Sequence, residues 1–207
     1  MLIIRHRVNT LEELEQTPTD LGVEIDVRGY GSELLLNHDP LDKPEKYTKL
    51  EDYLKNFHHR FIIFNIKDMG YESKIIQLAK DNGIEDYFLL DVEFPFVYQA
   101  SRNKGFRKIA ARFSEAEPIE FALAQKDYLD WIWIDTNTRF PMDKETYETI
   151  KAAGMKTCLV CPERWGRPRD IDNYVNYMKD NTINIDAVMT AMPYVEKWKQ
   201  ASKLLSF

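Results

Sequence analysis

The 207-residue sequence lacks any long apolar run, has only two cysteines and carries no excess of basic residues. No stretch approaches the roughly 20 apolar residues of a membrane-spanning helix, so no membrane span is expected. Only Leu2–Ile4 precede the charged Arg5, which is too short an apolar segment for a signal peptide. A cytoplasmic location is therefore the expectation.

A net charge of −6 argues against nucleic acid as a partner, because a phosphate backbone needs a large basic footprint. The two cysteines, Cys158 and Cys161, form a lone CxxC inside an apparent strand. A zinc site would need further Cys or His ligands, and redox CxxC motifs usually begin a helix. Two reduced, buried thiols are predicted instead.

The chain shows no repeat, low-complexity tract or change of composition that would mark a linker. At this length one domain covering residues 1–207 is expected. Short apolar, β-rich segments alternate with helix-like segments. The predicted strands are Leu2–His6, Val23–Arg28, Phe61–Lys67, Tyr87–Val92, Lys108–Phe113, Trp131–Asp135, Lys156–Cys161 and Ala187–Thr190. The predicted helices are Leu11–Gln16, Ser73–Asn82, Pro118–Lys126, Asp143–Ala153, Asp170–Lys179 and Tyr194–Leu205.

Eight strands that are each followed by a crossover predict an α/β fold, a (β/α)8 TIM barrel forming one compact domain. The chain is short for that fold, so its helices and loops must be trimmed. A further small strand, Leu34–Asn37, follows the second one. A doubly wound open sheet is the alternative architecture.

Two carboxylates share one face of the second predicted strand. Glu24 and Asp26 are separated by one residue, so both side chains point the same way, about 6.6 Å apart along the strand. Two acids aimed at one space repel each other unless a positive group lies between them. Oxygen ligands of this kind suit a hard divalent cation such as Mg²⁺ or Ca²⁺.

Polar or charged residues recur at the C-terminal ends of seven of the predicted strands. In a (β/α)8 barrel those ends form the mouth where active sites lie. This repetition predicts a functional cleft rather than isolated surface charges. Besides the acid pair and the histidines, the residues predicted to line it are Arg28, Asp91, Glu93, Arg112, Asp135, Glu163 and Trp165.

Several of these residues fall in short motifs with a characteristic order. The motifs are His6-Arg7, Glu24-x-Asp26, His38-Asp39-Pro40, Asn65-Ile66-Lys67 and, in the last strand region, Thr190-Ala191-Met192-Pro193. This order resembles that of the glycerophosphodiester phosphodiesterase family, within the wider superfamily of phospholipase-C-like phosphodiesterases. The resemblance spans most of the chain, and its specific part runs from His6 to Lys67.

The chain departs from the family pattern at several positions. Val8 stands where a glycine follows the HR pair, Asn65 where the third metal-binding residue is a glutamate, and Ala191 where the closing motif has an aspartate. An asparagine offers a carbonyl oxygen but no charge. Weaker cation binding is therefore expected unless Asp91 or Glu93 compensates.

The resemblance implies hydrolysis of a small-molecule phosphodiester with Mg²⁺ or Ca²⁺ as cofactor. The implied cation ligands are Glu24, Asp26 and Asn65. Arg7 and Lys67 would hold the remaining phosphate charge. His6 would act as general base and His38 as general acid, since histidine titrates near neutral pH. The sequence sets no oligomeric state.

Two other functions compete with this one. A catalytically impaired relative that binds a phosphorylated ligand is favoured by Asn65 and Ala191. A different barrel enzyme, a sugar-phosphate isomerase or an aldolase, would use Lys67. Within the hydrolase hypothesis, direct attack by water and attack by a neighbouring substrate hydroxyl through a cyclic phosphate are both open.

Overall fold

The computed structural model describes residues 1–205. The strands are β1 Leu2–Arg5, β2 Gly22–Tyr30, β3 Glu33–Leu36, β4 Phe61–Ile66, β5 Tyr87–Leu90, β6 Ala110–Phe113, β7 Trp131–Ile134, β8 Lys156–Val160 and β9 Ala187–Thr190. The α-helices are α1 Leu11–Glu15, α2 Leu50–Lys55, α3 Glu72–Asp81, α4 Phe94–Tyr98, α5 Ile119–Leu123, α6 Lys144–Ala152, α7 Asp170–Asp180 and α8 Val195–Leu204. Short 3₁₀ turns occur at Pro44–Lys46, Pro162–Trp165 and Met192–Tyr194, and α4 runs on into a π-helical turn, Gln99–Asn103.

The strand order confirms the predicted (β/α)8 fold class. Hydrogen-bonded neighbours follow the order β5-β4-β2-β1-β9-β8-β7-β6, with β3 attached to β2. The first strand therefore neighbours the last, and the order never reverses. A doubly wound open sheet would instead reverse its order at a switch point between the first strands. The small strand β3 pairs with β2 antiparallel, whereas the ladder between β2 and β4 is parallel.

The chain divides into two compact units. One unit comprises Ile4–Gln99, and the other comprises Met1–Ile3 together with the chain from Ala100 onward. Every residue of the predicted acid, histidine and lysine cluster belongs to the first unit. The expectation of one domain over residues 1–207 stays a prediction.

Helix α1 is short, and a capping box at its start stabilises it in the short connection between β1 and β2. The hydroxyl of Thr10 accepts from the backbone N–H of Glu13, and the Glu13 carboxylate accepts from the backbone N–H of Thr10. Such a capping box satisfies two of the N–H groups that a helix start leaves unpaired, and a cap of this type contributes about 1 kcal/mol. The guanidinium of Arg5 then donates to the Glu13 carbonyl at 2.9 Å and ties the end of β1 to this helix.

Several strand ends differ from the sequence prediction by one or two residues, and the backbone explains two of these differences. Strand β5 stops at Leu90 because Asp91 adopts a left-handed backbone conformation with φ of 60°, which extended structure excludes. Strand β2 runs past Arg28 to Tyr30, because a tight turn at Gly31 folds it into a hairpin with β3. Gly31 has a φ of 58°, which glycine adopts without steric cost.

Apart from the buried Glu24, Asp26 and Asn65, the side chains of the central strands β2 and β4 that lie in the interior are apolar. Strand β4 is buried along its whole length, as expected for a parallel strand covered on both faces. Cys158 and Cys161 are buried free thiols, which confirms their predicted structural role. Within residues 1–205, no helix is both long and apolar enough to span a bilayer.

Candidate active site

Glu24 and Asp26, the third and fifth residues of β2, are fully buried. The parallel ladder sets Asp26 directly beside Asn65 of β4, and Lys67 follows one residue after that strand ends. The sequence predicted this group from the two-residue spacing on each strand. The structure brings all four of these side chains together.

Each Glu24 oxygen accepts a hydrogen bond from the chain itself. Its Oε1 atom accepts from Asn65 Nδ2 at 2.9 Å, and its Oε2 atom accepts from the backbone N–H of Arg7 at 2.8 Å. His6 Nε2 lies 3.8 Å from the same Oε2 atom, within ion-pair distance when the imidazole is protonated. Glu24 thus joins β1, β2 and β4 at one point.

Asp26 is held by a residue that the sequence reasoning missed. Asn9 Nδ2 donates to Asp26 Oδ2 at 2.9 Å, while Asn9 Oδ1 accepts from the Asp26 backbone N–H at 2.8 Å. The other oxygen, Oδ1, forms an ion pair with Lys67 Nζ at 3.1 Å. The available sequence signal was position, since Asn9 follows the His6-Arg7 pair closely in the turn after β1.

Burial disfavours the charged form of Glu24. Burial, reinforced by the neighbouring charge of Asp26, raises the pKa of Glu24 to about 7. The hydrogen bonds from Asn65 and from the Arg7 backbone, and the charge of Lys67, act in the opposite direction without cancelling it. Close to neutral pH, Glu24 therefore exchanges readily between its neutral and charged forms.

The chain turns sharply after β1 to reach Glu24. Arg7 has a φ of 55°, a left-handed conformation that costs a non-glycine residue about 1–2 kcal/mol. In this conformation the Arg7 N–H reaches the Glu24 carboxylate, and the Val8 N–H reaches the Glu24 carbonyl at 2.8 Å. Strain of this kind persists where the surroundings enforce it, and it is common at functional sites.

His38 lies just beyond β3 in the same unit. Its Nδ1 atom is 2.7 Å from Asp39 Oδ1, and this hydrogen bond is the main cause that lowers the pKa of Asp39. The charges of Arg7 and Arg28 lower that pKa further. Because Asp39 is then a carboxylate at neutral pH, Nδ1 is the donor, which directs Nε2 away from Asp39.

The donor set of this cluster fits a hard divalent cation, with a weaker third ligand. The Oδ1 atom of Asn65 is buried without a hydrogen-bond partner, and Asp26 Oδ1 has only its ion pair with Lys67. Carboxylate and amide oxygens are ligands that Mg²⁺ and Ca²⁺ accept. Residues 1–205 contain no group of three or more His, Cys, Asp or Glu side chains placed to hold a metal ion. A cation here would rely on two carboxylates and one amide oxygen.

Apart from Arg28 of β2, the predicted pocket residues fall into two sets. Asp91 and Glu93, in the first unit, follow β5 directly and are exposed. The other four, Arg112, Asp135, Glu163 and Trp165, belong to the second unit.

In that second unit the predicted pocket residues have structural partners. Arg112 forms an ion pair with the buried Asp135, which also accepts from Trp133 Nε1 at 3.1 Å. Glu163 Oε1 accepts from the Ala191 backbone N–H at 2.7 Å. The exposed Trp165 lies beneath the guanidinium of Arg164, 5.5 Å from its ring centre.

Comparison with known proteins supports the fold at low sequence identity. No protein-family model matches the chain, and no curated protein matches it in sequence. Among solved structures, a glycerophosphodiester phosphodiesterase from Agrobacterium tumefaciens str. C58 is similar at 16% identity and a TM-score of 0.64, covering 100% of both chains. A glycerophosphoryl diester phosphodiesterase from Parabacteroides distasonis ATCC 8503 has 16% identity and a TM-score of 0.62, covering 99% of this chain and 86% of its own.

A third similar structure was solved with a bound product. It is an Oleispira antarctica phosphodiesterase in complex with sn-glycerol-3-phosphate, with 17% identity and a TM-score of 0.66, covering 98% of this chain and 97% of its own. The resemblance predicted from the motifs is therefore confirmed at the level of the fold.

Proposed function

We propose that this protein hydrolyses a small glycerophosphodiester-like phosphodiester with the help of a divalent cation. One observation carries the proposal: a buried acid pair, Glu24 and Asp26, lies within 3.8 Å of His6 and 3.1 Å of Lys67 in one unit. Its support is the similarity in fold to three solved phosphodiesterases of this kind, one of them holding sn-glycerol-3-phosphate.

The cation would be held by Glu24, Asp26 and Asn65. Mg²⁺ or Ca²⁺ bound there supplies a Lewis acid that polarises a phosphoryl oxygen. Lys67 and Arg7 bind the remaining phosphate charge, and they stabilise it most where it is greatest, in the transition state. Lys67 is well placed for this role because its ion pair with Asp26 fixes the ammonium group beside the acid pair.

The two histidines divide the proton transfers. His6 accepts the proton of the attacking hydroxyl, and Glu24 stabilises the imidazolium that forms. In its imidazolium form, His38 donates the Nε2 proton to the leaving oxygen and becomes neutral, while its Nδ1–H stays bound to Asp39. The attacking hydroxyl comes either from water or from a neighbouring group of the substrate, which would give a cyclic phosphate first.

The cytoplasmic location and the absence of a nucleic-acid partner stay predictions.

Phosphorus NMR tests this proposal directly. The protein is incubated with a mixture of glycerophosphodiesters and Mg²⁺ or Ca²⁺, and phosphomonoester or cyclic-phosphate signals are expected to appear. They should disappear with a chelator and in His6→Ala. The matched control is His58→Ala, which removes an exposed histidine remote from the acid pair in sequence and should leave turnover unchanged. Product formation that survives both His6→Ala and chelation would refute the proposal.

One observation favours a second candidate, a protein that binds a phosphorylated ligand without cleaving it. All four oxygens of the acid pair already have partners from the chain: Asn65 and the Arg7 backbone for Glu24, and Asn9 and Lys67 for Asp26. In this network each acid oxygen has a partner that is not a metal cation. In the same NMR experiment, broadening of one diester signal without turnover would select this candidate.

A further inference from the structure

Arg28 of β2 contacts two segments that follow different strands. Its Nη2 atom donates to the backbone carbonyl of His38 at 2.8 Å, and its Nη1 atom forms an ion pair with Asp68 Oδ1 at 3.0 Å. The Arg28 side chain is only 15% exposed, which limits its freedom to leave these partners. Both terminal nitrogens of the guanidinium are therefore engaged within the protein.

Asp68 bonds both the Arg28 guanidinium and the backbone of the next residue of β2. Its second oxygen, Oδ2, accepts from the Gly29 backbone N–H at 3.1 Å, while Oδ1 holds Arg28. The ring of Tyr71 covers Gly29 so closely that a Cβ there would overlap it. Asp68 is thus held beside β2 by two charge-assisted hydrogen bonds, one from the Arg28 side chain and one from the Gly29 backbone.

His38 depends on such a link because it lies outside regular structure. Its side-chain bond goes to Asp39, the next residue, whose own side chain is 83% exposed. That bond orients the ring relative to its own loop and not relative to β2. The backbone N–H of Asn37 bonds the Asp26 carbonyl at 3.0 Å, and the Arg28 bond to His38 supplies the second link between this loop and the strand of the acid pair.

We infer that Arg28 and Asp68 are positioning residues that hold His38 at the distance from Glu24 and Asp26 that catalysis needs. The inference rests on the proposed function for its catalytic consequence. It assigns Arg28 to the support of His38 rather than to direct contact with the phosphate. Neither residue has to touch the substrate for its loss to slow the reaction.

NMR of the histidine rings tests the structural part without any activity. The chain has four histidines, so selective ¹³C labelling gives four imidazole signals, and His38→Ala assigns the one of interest. In Arg28→Ala and in Asp68→Ala, the His38 signal should broaden at least about twofold, while those of His6, His58 and His59 stay in place. Unchanged signals from those three also report that the variants fold.

The matched control is Lys74→Ala. Lys74 Nζ likewise bridges a backbone carbonyl, that of Ser32 at 2.6 Å, and a carboxylate, that of Glu51 at 3.0 Å. Its removal should leave the His38 signal unchanged. An unchanged His38 signal in both Arg28→Ala and Asp68→Ala, or equal broadening in Lys74→Ala, would overturn the inference.

Kinetics test the catalytic part. Misplacement of a catalytic group by about 1 Å costs up to about 100-fold in rate, so Arg28→Ala should lower kcat roughly 10- to 100-fold with KM changed less than about twofold. Arg28→Lys should restore part of the loss. A raised KM with an unchanged kcat would instead show that Arg28 binds substrate directly. If the wild-type protein shows no turnover, the proposed function fails, whereas the imidazole spectra still decide whether Arg28 and Asp68 hold His38.

Discussion

Both units of this protein place charged residues at strand ends, but the partners of these residues differ between the units. In the unit Ile4–Gln99, Glu24 and Asp26 lie on one face of β2 and are fully buried, and the charge of Asp26 helps to raise the pKa of Glu24. In the other unit, Asp135 is paired with Arg112, and Glu163 accepts hydrogen bonds from the Thr190 hydroxyl and the Ala191 backbone N–H. Burial and a neighbouring charge thus perturb an acid in the first unit, whereas these acids of the second unit are paired with positive groups or hydrogen-bond donors.

The two units also differ in where non-glycine residues adopt a strained, left-handed backbone conformation. Arg7 is left-handed in the first unit and turns its N–H toward Glu24, and Asp91 is left-handed directly after β5. In the second unit the left-handed non-glycine residue of the described chain is Thr182, in the turn after α7. Strain near the acid pair stabilises a particular charge arrangement, whereas strain at Thr182 closes a turn.

The largest expected effect comes from removing the histidines. Loss of a general acid or base costs about 10²–10⁴-fold, so His6→Ala and His38→Ala should lower kcat/KM by that factor. Asp135→Asn in the second unit should cost less than about tenfold, because it alters an ion pair rather than a proton-transfer group. Steady-state kinetics on one diester measures all three. If Asp135→Asn costs as much as His6→Ala, the contrast between the units is wrong.

The next largest effect concerns stability and pH. The pKa of Glu24 is 4.5 in the unfolded chain and is raised to about 7 in the folded protein. Between these two pH values the folded protein therefore keeps a proton that the unfolded chain has released. Its contribution is fully present below pH 4.5 and is lost as pH rises through about 7. Between pH 5 and pH 8, without divalent cation, the free energy of unfolding of Glu24→Gln should therefore rise by about 2–3 kcal/mol relative to that of wild type.

Urea unfolding at the two pH values measures this difference. Glu163→Gln is the control from the second unit, and its stability relative to wild type should vary little over the same range. A flat difference for Glu24→Gln would mean that burial does not hold a proton on this carboxyl group.

A third carboxylate should strengthen cation binding. Asn65→Glu adds a charged ligand beside Asp26, so the Mg²⁺ or Ca²⁺ dissociation constant should fall roughly tenfold. Without cation the same variant should be less stable, because a third buried acid joins the pair. Calorimetric titration measures the affinity, and Asn56→Glu, at the exposed end of α2, is the control. Equal affinities for both variants would locate the cation elsewhere.

The smallest effect is expected at the two thiols. Burial is the main cause that raises the pKa of Cys161 to about 12, and Cys158 is fully buried. Because the thiolate is the reactive form, labelling with a thiol reagent should be slower by on the order of 100-fold or more in the native protein than in urea. Fast labelling of the native protein would show that the second unit opens locally and exposes these thiols.

Much of the fold was predictable because it is encoded locally. Eight apolar segments, separated by segments of helical character, predicted the (β/α)8 class, and the observed strand order confirms it. Strand ends were predicted less well. The left-handed conformation of Asp91 and the extension of β2 to Tyr30 depend on contacts with neighbouring segments.

Part of the site was predictable for the same local reason. The spacing of Glu24 and Asp26, and of Asn65 and Lys67, sets each pair on one face of its strand, and the parallel register then places the pairs side by side. Asn9 and Asp68 were missed because their roles arise from the paths of the chain after β1 and β4. Both carried only a signal of position, since Asn9 closely follows the His6-Arg7 pair and Asp68 directly follows Lys67.

The sequence by itself determined the alternation of strands and helices and which side chains share a strand face, because both follow from periods of two to four residues. Tertiary structure alone decided that Glu24 holds its proton to about pH 7, that Asn9 satisfies Asp26 and that Arg28 supports His38. Those properties depend on burial and on contacts between residues 10 to 41 positions apart in the chain. Local patterns specify neither, since solvent exclusion and long-range contact exist only once the strands have assembled.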